Sequence, residues 1–210
     1  MVGFALIIML LLIFLLPGVK PQAKSSGPAV SSSAQASSAS ELDARLADAR
    51  KQNSDVVAWL TIPGTDVDDP VVQAADNDYY LRRTWLGESD VWGCYFLDYE
   101  CNIREKASLD KVSIIYGHSL EDSKDDKNFS QIKRWEDAEF AAQNPTFTLR
   151  LTDGTLTTWQ VFAASKVPVE GENAVYYLDP NPDEAAYSAL LDTLRAASAK
   201  NFDSVEVSAQ

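Results

Sequence analysis

Val112-Ser-Ile-Ile-Tyr-Gly-His-Ser119 is the stretch on which the fold turns. A β-branched apolar run of this kind predicts a buried strand, and the Gly117-His118 step predicts the point where the chain leaves the sheet. His118 is the only histidine in the chain. An imidazole at a strand end is carried on a rigid scaffold yet faces solvent, which suits a general acid or base. The plainer alternative is a histidine that satisfies one hydrogen bond at a sheet edge.

Working outward, Val56 to Thr65 (VVAWLTIPGT) predicts a short strand closed by a Pro-Gly turn. Val67 to Gln73 predicts a second strand, which Pro70 restricts to an edge or a strand start. Asp76 to Arg82 predicts a helical turn, and the alternating, aromatic-rich Gly93 to Tyr99 predicts a strand. Beyond His118, Phe129, Ile132, Trp135, Phe140 and Ala141 predict an amphipathic helical region. Thr146–Thr152 and Leu156–Ala164, joined by Asp153-Gly154, predict a hairpin that Val167 to Val169 extends. Glu184 to Lys200 predicts a helix, and Phe202 to Val207 a last strand. Short strands with a few interspersed helices make an α+β domain built on a β-barrel or strongly curled sheet.

At the other end, Val2 to Leu16 (VGFALIIMLLLIFLL) is an uncharged apolar run. It is shorter than the roughly 20 residues that cross a bilayer comfortably. A signal anchor over residues 1–19 is the reading favoured, with a cleaved signal peptide as its competitor; either way the rest is exported. Residues 20–40 are Ser, Ala, Pro, Gly and Gln-rich, the composition of a flexible tether. Glu41 to Asn53 then predicts a helix with Ser40 as its cap and Leu42, Leu46 and Ala49 on its apolar face. The globular domain accordingly spans residues 41–210, long enough for one real core.

The formal net charge is −13 and no basic stripe is present, which disfavours nucleic acid as a partner. Two cysteines and one distant histidine do not make a zinc spacing, so no metal is expected. Cys94 and Cys101 lie seven residues apart along an extended chain. That separation holds their Cα atoms beyond bridging distance unless a turn intervenes at Tyr99-Glu100, so two thiols are expected, with Cys94 half-buried on a strand.

Taken together, Trp59-Leu-Thr-Ile-Pro-Gly-Thr65, Pro70-Val-Val-Gln73, Asp76-Asn-Asp-Tyr-Tyr-Leu81, Gly93 through Asp98-Tyr99, and Ile114-Ile-Tyr-Gly-His118 resemble a class B sortase in order and spacing. The resemblance covers residues 41–210, and the anchor, tether and N-terminal helix are also what that family shows. It implies a sortase-like β-barrel with peripheral helices and a membrane-anchored, extracellular cysteine transpeptidase of Gram-positive bacteria. Such an enzyme joins surface proteins bearing a C-terminal sorting motif to the amine of a peptidoglycan precursor through a Cys acyl-enzyme, without a cofactor. His118 would protonate the leaving amine and deprotonate the incoming one, and an Arg would stabilise the oxyanion. By the same resemblance Asn77, Leu81, Tyr116, Tyr177 and Leu178 would line the groove for the sorting peptide. Leu81 and Tyr116 read equally well as core residues.

One departure stands out. The family's nucleophile lies in a Thr-Leu-Ser-Thr-Cys-like strand, with the Arg on the strand after it, and Ser204 to Gln210 precedes any such motif. Neither Cys94 nor Cys101, and neither Arg150 nor Arg195, matches those positions. Asp98 is expected to cap a turn or meet a nearby donor. The chain as written is therefore expected to lack transpeptidase activity, leaving a non-catalytic, surface-tethered peptide-binding module as the alternative. A minor third reading pairs Cys94 with His118 in an unrelated hydrolase. With the last strands missing, Val112 and Ile114 are expected to be exposed and the domain poorly stable.

Overall fold

A computed structural model describes residues 7–14, 32–119, 128–164 and 179–198. Seven strands form one mixed sheet in the order β1-β5-β4-β3-β2-β6-β7. They are β1 (Ile7–Phe14), β2 (Val56–Thr61), β3 (Asp68–Val72), β4 (Tyr95–Leu97), β5 (Val112–Ser119), β6 (Thr146–Leu151) and β7 (Leu156–Gln160). The helices are α1 (Ser32–Gln52), α2 (Ala138–Gln143) and α3 (Glu184–Ala196). Three 3₁₀ segments lie at Tyr79–Arg82, Lys106–Ser108 and Asn128–Glu136. This is the α+β class expected, as a curled sheet whose described strands do not close into a barrel.

The apolar faces of β2 show how the sequence selects its register. Val56 and Trp59 belong to one core cluster while Val57, Ala58 and Leu60 belong to the other. Two successive residues on one face break strict alternation, and the ladder to β3 shifts register between Val56 and Ala58. A bulge of this kind re-aims the side chains that follow it. The larger cluster packs Leu60, Val71, Leu97, Ile115, Leu149 and Leu151 against Phe129, Ile132, Trp135 and Phe140 from the helical segment after β5. The smaller one packs Leu46 and Ala49 of α1 against Val56, Trp59, Val72 and Phe96. The α1 residues expected to be apolar-facing are thus in place, and Arg150 of β6 clamps the helix by donating to both carboxylate oxygens of Asp43 at 2.6 Å.

Pro70 is tolerated inside the sheet because β3 pairs with β4 only at Val71 and Val72, leaving Pro70 paired on the β2 side alone, with Trp59.

Several expectations need correction. The helix begins at Ser32 rather than at a Ser40 cap, since Ala and Ser between 32 and 40 extend it into the stretch read as a tether. The strand read over Gly93 to Tyr99 is confined to Tyr95–Leu97, and Cys94 just before it is buried. The run Val2–Leu16, read as an anchor helix, contributes β1, antiparallel to all of β5 from Ile7↔Ser119 to Phe14↔Val112. An aperiodic apolar run is compatible with either state, and the open β5 edge supplies backbone partners that settle it. Among the described residues no helix is long and apolar enough to cross a membrane. Val112 and Ile114 are buried, not exposed. Val112 packs with Phe162 and with Tyr187, Leu191 and Leu194 of α3. The expected strands Val167–Val169 and Phe202–Val207 lie outside the described residues.

Candidate functional site

His118 does not mark the end of the sheet: β5 continues through Ser119. The reason is the pairing with β1, which places Ile8 opposite His118 and extends the ladder past Gly117. His118 is consequently buried, at 6% exposure. Side chains alternate along a strand, so His118 shares the face of Tyr116, which packs against the α1-side cluster.

Between them, Gly117 is where Tyr95 and Phe129 close over the other face. A Cβ there would lie 2.6 Å from Phe129 Cδ2 and 3.0 Å from Tyr95 Cδ1, so only glycine fits. The Tyr95 and Phe129 rings themselves pack at 4.7 Å between centroids.

The segment from Gln73 to Gly93 brings its groups to this region. Its 3₁₀ turn is anchored by Tyr80, whose hydroxyl accepts from Asn53 Nδ2 and donates to Asp55 Oδ2, both at 2.8 Å. Asn53 Nδ2 also donates to the Trp85 carbonyl. Arg82 donates to the Val91 carbonyl at 2.5 Å, and Asp90 N donates back to the Arg82 carbonyl at 3.0 Å. The return of the loop brings the Trp92 backbone and the charges of Arg82 and Asp90 to act on the imidazole. Nε2 of His118 has no hydrogen-bond partner. Burial pushes the histidine below its ordinary value; the charge of Arg82 acts the same way, while the Trp92 bond and the charge of Asp90 oppose both.

Two further expected site residues converge on a third. Asp98, directly after β4 and buried, accepts at Oδ2 from the Tyr116 hydroxyl at 2.7 Å and from Asn77 Nδ2 at 2.8 Å. Its Oδ1 accepts from Glu100 N at 2.9 Å, and Asn77 Oδ1 accepts from Tyr99 N at 3.1 Å. The expected pairing of Asp98 with nearby donors is what the structure has, and the carboxylate joins the 76–82 turn to β5. Burial, then the bond to Asp98, pushes the Tyr116 phenol well above its ordinary range, so it remains a neutral donor. Leu81 and Tyr116 both pack, partly buried, at the edge of the smaller core cluster. Tyr177 and Leu178 lie outside the described residues.

Both cysteines are free thiols, as expected from their spacing. Cys94 packs in the α1-side cluster and Cys101 in the opposite one. Burial pushes each thiol up to about 12. Cys101 Sγ donates to the Val112 carbonyl at 3.8 Å. A thiol in such surroundings stays protonated and unreactive at neutral pH. Arg150 is engaged by Asp43, and Arg195 lies in the last turn of α3. Among the described residues no three His, Cys, Asp or Glu side chains cluster as a metal site.

No motif in the sequence pointed to Arg82 and Asp90, whose charges act on His118, or to the Trp92 backbone. Their one local signal is Gly93, which closes the loop immediately before the aromatic strand.

Comparison with known proteins gives a consistent result. No family model matches the chain. Sortase B of Listeria monocytogenes is 39% identical over 121 residues, which are 58% of this chain and 46% of that protein. The chain thus spans about half the length of this curated relative. The solved structure of sortase B from Listeria monocytogenes superposes with a TM-score of 0.64 at 32% identity, over 79% of this chain and 88% of the solved one. A Staphylococcus aureus sortase B–substrate complex gives a TM-score of 0.67 at 21% identity, over 83% of this chain and 77% of the other, a likeness of fold.

Proposed function

The chain belongs to the class B sortase family, and on that premise we propose that it is a sortase-type transpeptidase domain in which His118 handles the protons of acyl transfer. Its substrates are the C-terminal sorting motif of secreted surface proteins and the amine of a peptidoglycan precursor. The observation that carries this reading is the buried imidazole with an unpartnered Nε2 beside the Asn77–Asp98–Tyr116 cluster. The forward step needs a cysteine thiolate, a position that neither Cys94 nor Cys101 matches; as that thiolate forms a thioester with the Thr carbonyl, protonated His118 would give its Nε2 proton to the amine that leaves. In the second step neutral Nε2 takes the proton of the attacking amine. Asn77, Leu81 and Tyr116 form part of the wall along which the peptide lies, the role that the resemblance also gives to Tyr177 and Leu178. The structure of a related sortase B with its substrate supports peptide binding to this fold.

The domain acts outside the cell.

One observation favours a second reading, a tethered module that binds the peptide and leaves it intact: both cysteines are buried with raised pKa values. A quenched sorting-motif peptide incubated with the full chain, with and without an amine acceptor, tests both. Because neither Cys94 nor Cys101 stands at the nucleophile's position, binding without cleavage is expected of the chain as given. Cleavage lost on Cys94→Ala or Cys101→Ala would overturn the exclusion of these thiols, and absence of binding would overturn the groove.

A further inference from the structure

β5 is held unequally along its two edges. On one side β4 pairs with it only at Ile115 and Tyr116. The Val112 amide adds a bond to the Pro180 carbonyl at 3.0 Å, and the Ile114 carbonyl accepts from Asp98 N at 2.9 Å. On the other side β1 pairs with every residue of β5. It sets Met9, Ile8 and Ile7 opposite Gly117, His118 and Ser119, beyond the last residue that β4 pairs with. Backbone groups alternate between the two edges of a strand. Val112 and Ile114 turn theirs away from β1, so Ser113, Ile115, Gly117 and Ser119 turn theirs toward it. β1 therefore fastens the chain on either side of His118. Gly117 is also the fixed point, since its backbone lies too close to Phe129 and Tyr95 to admit a Cβ. β1, by contrast, is the outermost strand, with one strand neighbour among the described residues. A single ladder at a sheet edge belongs to the part of a fold that opens most readily.

We propose that β1 is an autoinhibitory strap: fastened at Gly117 and Ser119, it holds His118 inside the sheet, and when it lifts, the chain beyond Gly117 leaves the sheet and brings the imidazole to the surface. The strapped form is the one in which His118 is 6% exposed and closed to a peptide. In the released form β5 ends at the Gly117-His118 step, where a histidine on a rigid scaffold meets solvent. Release breaks one edge ladder and leaves β2, β3 and β6 paired as they are. The proton transfer that release would permit rests on the transpeptidase reading; the strap rests on the ladder alone.

Because the chain has one histidine, diethyl pyrocarbonate is a one-site probe of this ring in the full-length protein, read by mass spectrometry beside amide hydrogen exchange. Met9→Pro with Leu11→Pro removes two amides that face β5. Leu10→Pro with Leu12→Pro removes two that face outward, where an edge strand accepts proline. The first double variant should modify His118 about tenfold faster or more than wild type and lose protection at the Gly117 and Ser119 amides. The second should match wild type, and the β2 and β6 amides should stay protected in both. Slow modification of His118 in the first variant, with β2 and β6 still protected, would overturn the proposal, as would equal exposure in the two variants. Loss of β2 and β6 protection would overturn it too, by making β1 part of the core rather than a strap. So would a wild-type His118 that reacts as fast as in the urea-unfolded chain. No arm uses a sorting peptide, so failure here leaves the transpeptidase reading standing, and failure of the peptide assay leaves the strap.

Discussion

Tyr116 and Asp98 meet at 2.7 Å, hydroxyl to Oδ2, joining β5 to the turn that follows β4. Asp98→Ala removes the acceptor from a half-buried phenol and from Asn77, and an unsatisfied buried donor costs up to about 1–3 kcal/mol. Replacing both partners costs less than the sum, so the loss on Asp98→Ala should shrink in a Tyr116→Phe background. Urea denaturation of the four proteins measures the coupling. Strict additivity would mean that the bond contributes nothing.

Gly117→Ala should destabilise the domain by about 1–3 kcal/mol, the usual cost of overpacking a filled core. The added methyl meets Phe129 at 2.6 Å. Phe129→Leu in the same chain should recover part of the loss, because it vacates the ring atoms the methyl strikes. Thermal melts of the single and double variants check this.

Cys94 and Cys101, with thiols pushed up to about 12 by burial, should resist iodoacetamide in the native protein at pH 8. Both should alkylate fully in urea, since unfolding returns each to its ordinary range. Mass spectrometry reads the outcome, and rapid native modification of either thiol would contradict its burial.

His118 sits below its unfolded value, chiefly through burial and secondarily through Arg82, against the opposing Trp92 bond and Asp90. The unfolded chain therefore binds a proton first as pH falls. The neutral ring's contribution is present above about 6.5 and is lost as pH drops from there toward the native pKa. The stability difference between wild type and His118→Gln should shift against the wild type between pH 7.5 and pH 5. A pH-independent difference would show that His118 does not titrate abnormally.

Much of this was legible in advance because it is local. The β2–β3 pair, the 76–82 turn, the β6–β7 hairpin and α3 each follow from period, turn residues and caps within a few residues of one another. The Asp183 cap of α3 accepts from Ala186 N at 2.8 Å, an ordinary sequence-readable device. The convergence of Asn77 and Tyr116 was not legible, because Asp98 joins them from 21 and 18 residues away. Nor was the burial of Val112, which depends on α3, far along the chain.

By itself, the sequence determined the α+β class, the β-rich order of the elements, the apolar strand that leads to His118 and the unbridged state of the two cysteines. Tertiary structure alone decided that Ile7–Phe14 pairs with β5, that β5 runs on through Ser119, and that His118 is buried. The physical reason is the range of the interactions. Propensity and periodicity act between neighbours in the chain, whereas an aperiodic apolar run takes its conformation from the edge that receives it.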